Sequence, residues 1–222
     1  NFDKYRSVSN SLHKILESYT DITEYIALDE GYLDLTEKVA SWEEAGKIGL
    51  EIKKRVRKEL SLTCSVGLAY SKTAAKTASE EKKPDGYFEI KTREDFVNLV
   101  IDRNVRALYT VGKMTAGKLH MYGVDTVRDL QDKSDFVKKF MGKQGEYLID
   151  LAFGYDNRKV IPYKQEDAKS ISKEFTFQKD VSSFKFLDDV LFILAFRVEE
   201  RAKRLGLYGE GVSLKITYSD MK

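Results

Sequence analysis

The sequence predicts an α+β chain of several domains, and three observations carry that reading. Helix-period and strand-like segments alternate through residues 1–91, short helical patterns without strands follow over 92–155, and a β-α-β pattern fills 169–222 after a polar stretch at 156–168. At 222 residues the chain has room for one large domain or two to three small ones, and its 42% hydrophobic content is that of an ordinary soluble protein.

Val8, Leu12, Ile15, Leu16 and Tyr19 recur at helical spacing and predict a first helix. A hairpin follows, Glu24 to Leu28 and Tyr32 to Thr36, with Asp29-Glu30-Gly31 at its tip and Gly31 expected to supply a positive φ. Trp42, Ala45, Ile48, Ile52, Val56 and Leu60 form one apolar stripe of a second helix. Ser61 to Tyr70 is β-rich, and Ser71 is placed to cap a helix beginning near Lys72. The small face of that helix, Ala74, Ala75 and Ala78, suits close packing on a sheet. Lys83-Pro84-Asp85-Gly86 ends it before a short strand, Tyr87 to Ile90. This order reads as an α/β layer.

From Thr92 the pattern changes. Val105 to Tyr109 precedes the turn Thr110-Val111-Gly112-Lys113, Met114 to Met121 reads as a helix, and Gly123 to Leu130 opens another. A short hairpin between helices can turn backbone N–H groups and the positive end of a helix toward a phosphate, although an ordinary helical turn has the same sequence. Residues 156–168 contain Pro162 and little periodicity, which predicts a tether. Beyond it, Ser170 to Phe177 alternates as a strand. Leu187, Val190, Leu191, Leu194, Val198 and Leu205 form a helical stripe, and Val212 to Tyr218 alternates again.

The composition excludes some chemistry. No apolar run reaches the length of a membrane span, and the first residues have neither the apolar core nor the cleavage pattern of a signal peptide, so a cytoplasmic location without membrane contact is the expectation. Cys64 is the single cysteine and His13 and His120 the two histidines, which leaves no internal disulfide and too few soft ligands for zinc. Any metal should be oxygen-bound. A net charge of +2 does not by itself point to nucleic acid, although basic residues cluster at Lys53 to Lys58, Lys82-Lys83, Lys138-Lys139 and Arg201 to Arg204.

Asp29-Glu30 is the candidate metal pair. Neighbouring side chains of a straight strand diverge, so two adjacent acids share an ion only from a turn. Such a pair suits Mg²⁺, which takes one or two protein carboxylates and leaves its other positions to water and phosphate. An isolated Asp-Glu-Gly is more often an exposed acidic turn, so the pair needs support from elsewhere in the chain.

Several segments together resemble the Y-family translesion DNA polymerases, in particular the DNA polymerase IV branch. The family's catalytic segment Ser-Ile-Asp-Glu-Ala-Tyr-Leu-Asp is matched by Ala27-Leu28-Asp29-Glu30-Gly31-Tyr32-Leu33-Asp34. Its next series is matched by Ser65-Val66-Gly67-Leu68-Ala69, Ser71-Lys72, Ala75-Lys76, Ala78-Ser79 and Lys83-Pro84-Asp85-Gly86. Asp125 to Leu130 resembles the segment after the family's helix-hairpin-helix, and Lys169 to Phe177 the start of its little finger.

The resemblance implies a partial palm (1–91), a helix-hairpin-helix thumb (92–155), a linker (156–168) and a partial little finger (169–222). It implies a DNA-templated nucleotidyltransferase of translesion synthesis, joining dNTP to a primer 3′-hydroxyl with two Mg²⁺ ions. Asp29 and Glu30 would be two of three catalytic and metal-binding carboxylates, and Lys83 would contact the dNTP triphosphate. DNA contacts would come from Gly112, Lys113, Thr115 and Lys118 of the thumb and from Lys169, Ser170, Lys173 and Thr176 of the little finger. The implied partners are primer-template DNA, dNTP and, through a C-terminal tail, a sliding clamp. The family's third carboxylate and its fingers precede the matched region, so the 222-residue chain alone is expected not to polymerise. Ala27, Gly31 and Ser71 replace the family's serine, alanine and asparagine, and Thr110 stands at the hairpin's usual first glycine, where it could hinder a positive φ or close phosphate approach. A non-catalytic DNA-binding or scaffold protein that keeps the palm and thumb is the competing reading. A nucleotide cyclase would not predict the helical middle.

Overall fold

The computed structural model describes residues 2–162 and 170–220. Among these residues the chain forms α1 (Phe2–Glu17), β1 (Thr23–Tyr25), β2 (Gly31–Leu33), α2 (Trp42–Leu60), β3 (Val66–Ala69), α3 (Lys72–Glu81) and β4 (Tyr87–Ile90). The helical part continues with α4 (Arg93–Val100), a 3₁₀ turn (Val105–Ala107), α5 (Lys113–His120), α6 (Val127–Asp132), α7 (Ser134–Met141) and α8 (Lys143–Ala152), and α9 (Phe184–Leu205) follows. The chain divides into two compact units, Asn1–Tyr163 and Lys164–Lys222.

In the first unit the order of elements through β4 is the one that periodicity predicts, but the strands do not join into one layer. β1 and β2 pair antiparallel with Thr23 opposite Leu33 and Tyr25 opposite Gly31, while β3 and β4 pair in parallel with Val66 opposite Tyr87. The two pairs form separate two-stranded sheets. Each lies over its own packing. Ile15 and Leu16 of α1 and Ile52 and Val56 of α2 form one cluster, against which Tyr25 and Leu33 of the hairpin pack. A second cluster runs from Ala74, Ala78 and Ile90 through Phe96, Leu108, Leu119 and Leu130 to Leu148 and Leu151. The parallel pair and the helical part therefore share one core.

Local chemistry sets the helix ends. The Ser41 hydroxyl accepts from the Glu44 N–H at the start of α2, and Ser61 closes that helix in the left-handed region at φ 56°. Ser71 caps α3 as its position predicts, accepting from the Ala74 N–H at 3.3 Å. The alanine face of α3 meets β3 at Gly67, where an added Cβ would lie 2.2 Å from the Ala75 carbonyl oxygen and 2.8 Å from the Ala78 Cβ. Only glycine admits that approach.

The expected tether departs from the polar pattern at its beginning. Asp156 accepts from the Thr73 N–H at 2.9 Å and its hydroxyl at 2.7 Å, in the first turn of α3 where helix N–H groups lack internal partners. Arg158 Nε donates to the other Asp156 oxygen at 2.8 Å, and the Ile161 N–H reaches Glu24 Oε2 at 2.8 Å. Burial alone would raise the Asp156 pKa. Hydrogen bonds from Arg158 and Thr73 outweigh that effect and hold the carboxyl well below the usual carboxylate range. A polar, aperiodic stretch is thus fastened to a helix terminus and a strand.

The second unit corrects the β-α-β expectation. α9 forms, with the Ser183 hydroxyl accepting from the Phe186 N–H and Gly206 ending it at φ 65°. Ser170 to Phe177 and Val212 to Tyr218 form no ladder. Alternation gives a segment a face, but a strand also requires a hydrogen-bonded neighbour, and these two segments do not supply one another with it.

Candidate active site

Asp29 and Glu30 lie on the loop that joins β1 to β2, at the hairpin tip. The loop is closed by its own backbone: the Glu30 carbonyl accepts from the Ile26 N–H at 3.0 Å and the Ala27 N–H at 3.3 Å. α1 holds it from outside, because the buried Ser9 donates its hydroxyl to the Leu28 carbonyl at 2.5 Å. Gly31 is required for a different reason from the one expected. It belongs to β2 with ordinary backbone angles, and its missing Cβ leaves room for the Glu24 carbonyl and the Tyr25 ring, each 3.1 Å from where that atom would stand.

The two carboxylates differ in surroundings. Asp29 is exposed, whereas Glu30 is half-buried and accepts from Lys76 Nζ of α3 at 2.9 Å. Lys76 also donates to Glu80 Oε1 at 3.0 Å, and Lys83 donates to the same oxygen at 2.6 Å. Burial acts to lower the Lys76 pKa, but its hydrogen bonds to Glu30 and Glu80 raise it on balance. The Lys83 hydrogen bond, aided by Lys76, lowers that of Glu80 against the effect of burial. α3 thereby brings Glu30 and Lys83 into one chain of ion pairs. Lys76 and Glu80 were not singled out as site residues in the sequence, although their spacing of four along a helix predicts a pair.

Tyr32 continues the site inward. Its ring sits 5.1 Å from Lys72 Nζ, and its buried hydroxyl has no hydrogen-bond partner. Burial raises its pKa to about 12, with a further contribution from Tyr109. Behind it Lys72 donates to both oxygens of Glu24, at 2.7 and 2.6 Å. Burial acts to raise the Glu24 pKa, but hydrogen bonds from Lys72 and the Ile161 N–H bring it below the ordinary value.

The donor set suits a hard cation shared with a phosphate. Asp29 and Glu30 offer oxygen ligands on consecutive residues of a backbone-closed loop. No group of three or more His, Cys, Asp or Glu that could hold a metal ion occurs among the described residues. Two carboxylates are nevertheless what Mg²⁺ commonly takes from a protein when phosphate oxygens complete its shell.

The expected thumb contacts cluster at α5. Gly112 is its N-cap, with no side chain capping the helix and open space where a Cβ would stand. Lys113 and Lys118 are exposed and Thr115 is half-buried. Thr110 does not adopt a positive φ, so the conformational objection to a residue other than glycine there does not arise. In the second unit Ser170, Lys173 and Thr176 are exposed, while Lys169 lies outside the described residues. No helix among the described residues is long and apolar enough to cross a membrane.

Known proteins resemble the chain in sequence and in fold. Residues 1–80 match the impB/mucB/samB family, and residues 168–222 match the impB/mucB/samB family C-terminal domain. The chain is 38% identical over 221 residues to DNA polymerase IV of Listeria monocytogenes serotype 4b (strain CLIP80459), covering 99% of this chain and 61% of that protein. It is 36% identical over 220 residues to DNA polymerase IV 2 of Agrobacterium fabrum (strain C58 / ATCC 33970), again covering 99% and 61%. Among solved structures, a Y-family DNA polymerase chimera, Dbh-Dpo4(243-245)-Dbh, aligns with a TM-score of 0.68 at 26% identity, over 74% of this chain and 48% of that one. The insertion ternary complex of Dbh DNA polymerase aligns with a TM-score of 0.65 at 26% identity, over 72% and 47%. The chain thus spans 61% of the length of each of these two curated relatives.

Proposed function

The chain belongs to the impB/mucB/samB family, and from that premise we propose that it serves a DNA-templated DNA polymerase of the translesion type. In this reading residues 1–91 are palm, 92–155 thumb and 169–222 little finger. The observation that carries it is the hairpin tip. Glu30 is paired to Lys76 of α3, Asp29 is its chain neighbour, and Lys83, just past the end of that helix, is tied in through Glu80; this supports a site for a cation and a polyphosphate.

Asp29 and Glu30 would hold the divalent cation, Mg²⁺ by the hardness of the donors. Bound there, it would acidify a primer 3′-hydroxyl and neutralise charge on the triphosphate and its leaving pyrophosphate. Ser9 and the loop backbone keep the carboxylates in place, and Lys83 complements the polyanion as a point charge. The open start of α5, with Lys113, Thr115 and Lys118, would take phosphates of primer-template DNA, joined by Ser170, Lys173 and Thr176 and by Lys169.

The test is primer extension by the complete protein with Mg²⁺ and all four dNTPs. Asp29→Ala and Glu30→Ala should each abolish extension while leaving DNA affinity nearly unchanged. Extension at the wild-type rate in either variant removes the proposal. DNA affinity should fall steeply with added salt, as expected of phosphate contacts.

A further inference from the structure

The Glu30 carboxylate is already engaged, and the way it is engaged has a direction. Lys76 Nζ stands 2.9 Å from Glu30 Oε1 and 3.0 Å from Glu80 Oε1, and Lys83 Nζ stands 2.6 Å from that same Glu80 oxygen. The signs alternate from the hairpin tip to the end of α3. Lys76 is the most enclosed of the four, its side chain 17% exposed against 40% for Glu30, 46% for Glu80 and 48% for Lys83. Its position borders a cavity of about 240 Å³ that Thr77, Glu80, Arg106 and Tyr109 also line. The ammonium already bridges Glu30 and Glu80, so it keeps one partner when it leaves the other.

We propose that Lys76 is a positioning residue for Glu30, passed from Glu30 to Glu80 when Lys83 is drawn away by an anion. One oxygen serving two ammonium groups divides its attraction between them. When a triphosphate takes Lys83, Glu80 Oε1 is left to Lys76 alone, the Lys76 ammonium moves toward it, and both Glu30 oxygens face the cation. Polyphosphate capture at Lys83 and cation capture at Glu30 are thereby coupled, and the coupling is reciprocal. The same ion pairs keep Glu30 neutralised before the cation arrives. This inference rests on the reading of Asp29, Glu30 and Lys83 given above.

The experiment measures Mn²⁺ affinity of the 222-residue chain from the electron paramagnetic resonance signal of the free ion, with no nucleotide present. Lys83→Met stands in for capture of Lys83 by an anion. It should tighten Mn²⁺ binding by roughly three- to fivefold, within the coupling range of residues in one salt-bridge network, and should do nothing in a Glu80→Gln background. Lys76→Met should tighten binding by roughly the same factor or more, because Glu30 loses its competitor. Equal tightening by Lys83→Met in both backgrounds would mean independent charges acting through space, and it would overturn the transfer. Unchanged or weakened binding in Lys76→Met would overturn it also. Glu30→Gln separates the two layers of the argument: wild-type Mn²⁺ affinity in that variant sinks the metal assignment itself. Lost affinity there with no coupling between Glu80 and Lys83 sinks only the transfer.

Discussion

The two compact units bury their helices very differently. Every helix from α1 to α8 of the first unit contributes buried side chains, whereas α9 of the second, the longest helix described at 22 residues, contributes none. Yet α9 is capped at both ends, by Ser183 and by Gly206, and its half-buried positions Leu187, Val190, Leu194 and Val198 fall on one stripe. The contrast separates what a segment settles by itself from what it needs from others. Helix hydrogen bonds close within the segment, so caps and periodicity mark the helix in its own residues. Ladder bonds close between segments, so alternation at Ser170 to Phe177 and Val212 to Tyr218 does not.

The contrast can be broken by substitution. Phe96→Ala, at a side chain 1% exposed, should cost about 3–5 kcal/mol in denaturant unfolding of the first unit. A loss under about 1 kcal/mol would deny that the shared core carries this unit. Asp156→Asn should cost about 1–3 kcal/mol, because Arg158 and Thr73 lose a charged acceptor. Its pH dependence has a definite sign. The folded carboxyl titrates below the usual range, so its stabilisation is present above that range and drains away as pH falls through and below it. The gap between wild type and Asp156→Asn should therefore narrow in acid; a gap constant with pH would exclude the carboxylate charge as its source. Ser71→Ala removes the α3 cap and should cost about 1 kcal/mol. The smallest effect belongs to the second unit. Phe192→Ala, at a side chain 73% exposed, should stay within about 0.5 kcal/mol, and a larger loss would show that α9 is packed after all.

Much of the first unit was legible because its determinants are local or periodic. The α2 stripe, the Ser71 cap, the alanine face of α3 and the hairpin around Asp29-Glu30 are each written in a few neighbouring residues. Three features were not, for related reasons. Gly31 looks like a turn glycine until the Glu24 carbonyl beside it is seen. Asp156 looks like part of a tether because its partner Thr73 lies 83 positions away. Lys76 looks like one of many basic residues, since nothing near it in sequence reveals that Glu30 lies 2.9 Å from its ammonium. Pairing across the chain, in strands or in ions, is what a single sequence conceals.

One arrangement bears on mechanics. The helical part leaves β4 at Arg93 and returns at Gly154, where a Cβ would stand 2.6 Å from Arg93 Cγ, and the Tyr70 hydroxyl donates to the Gly154 carbonyl at 2.7 Å. Its two feet stand side by side, with Asp156 bolting the second of them to the start of α3. The two attachments and the core shared with Ala74 and Ala78 fix the helical part to the parallel pair. Ala116 and Leu119 of α5 lie in that same core, so α5 and the helix that carries Lys76 belong to one packed body.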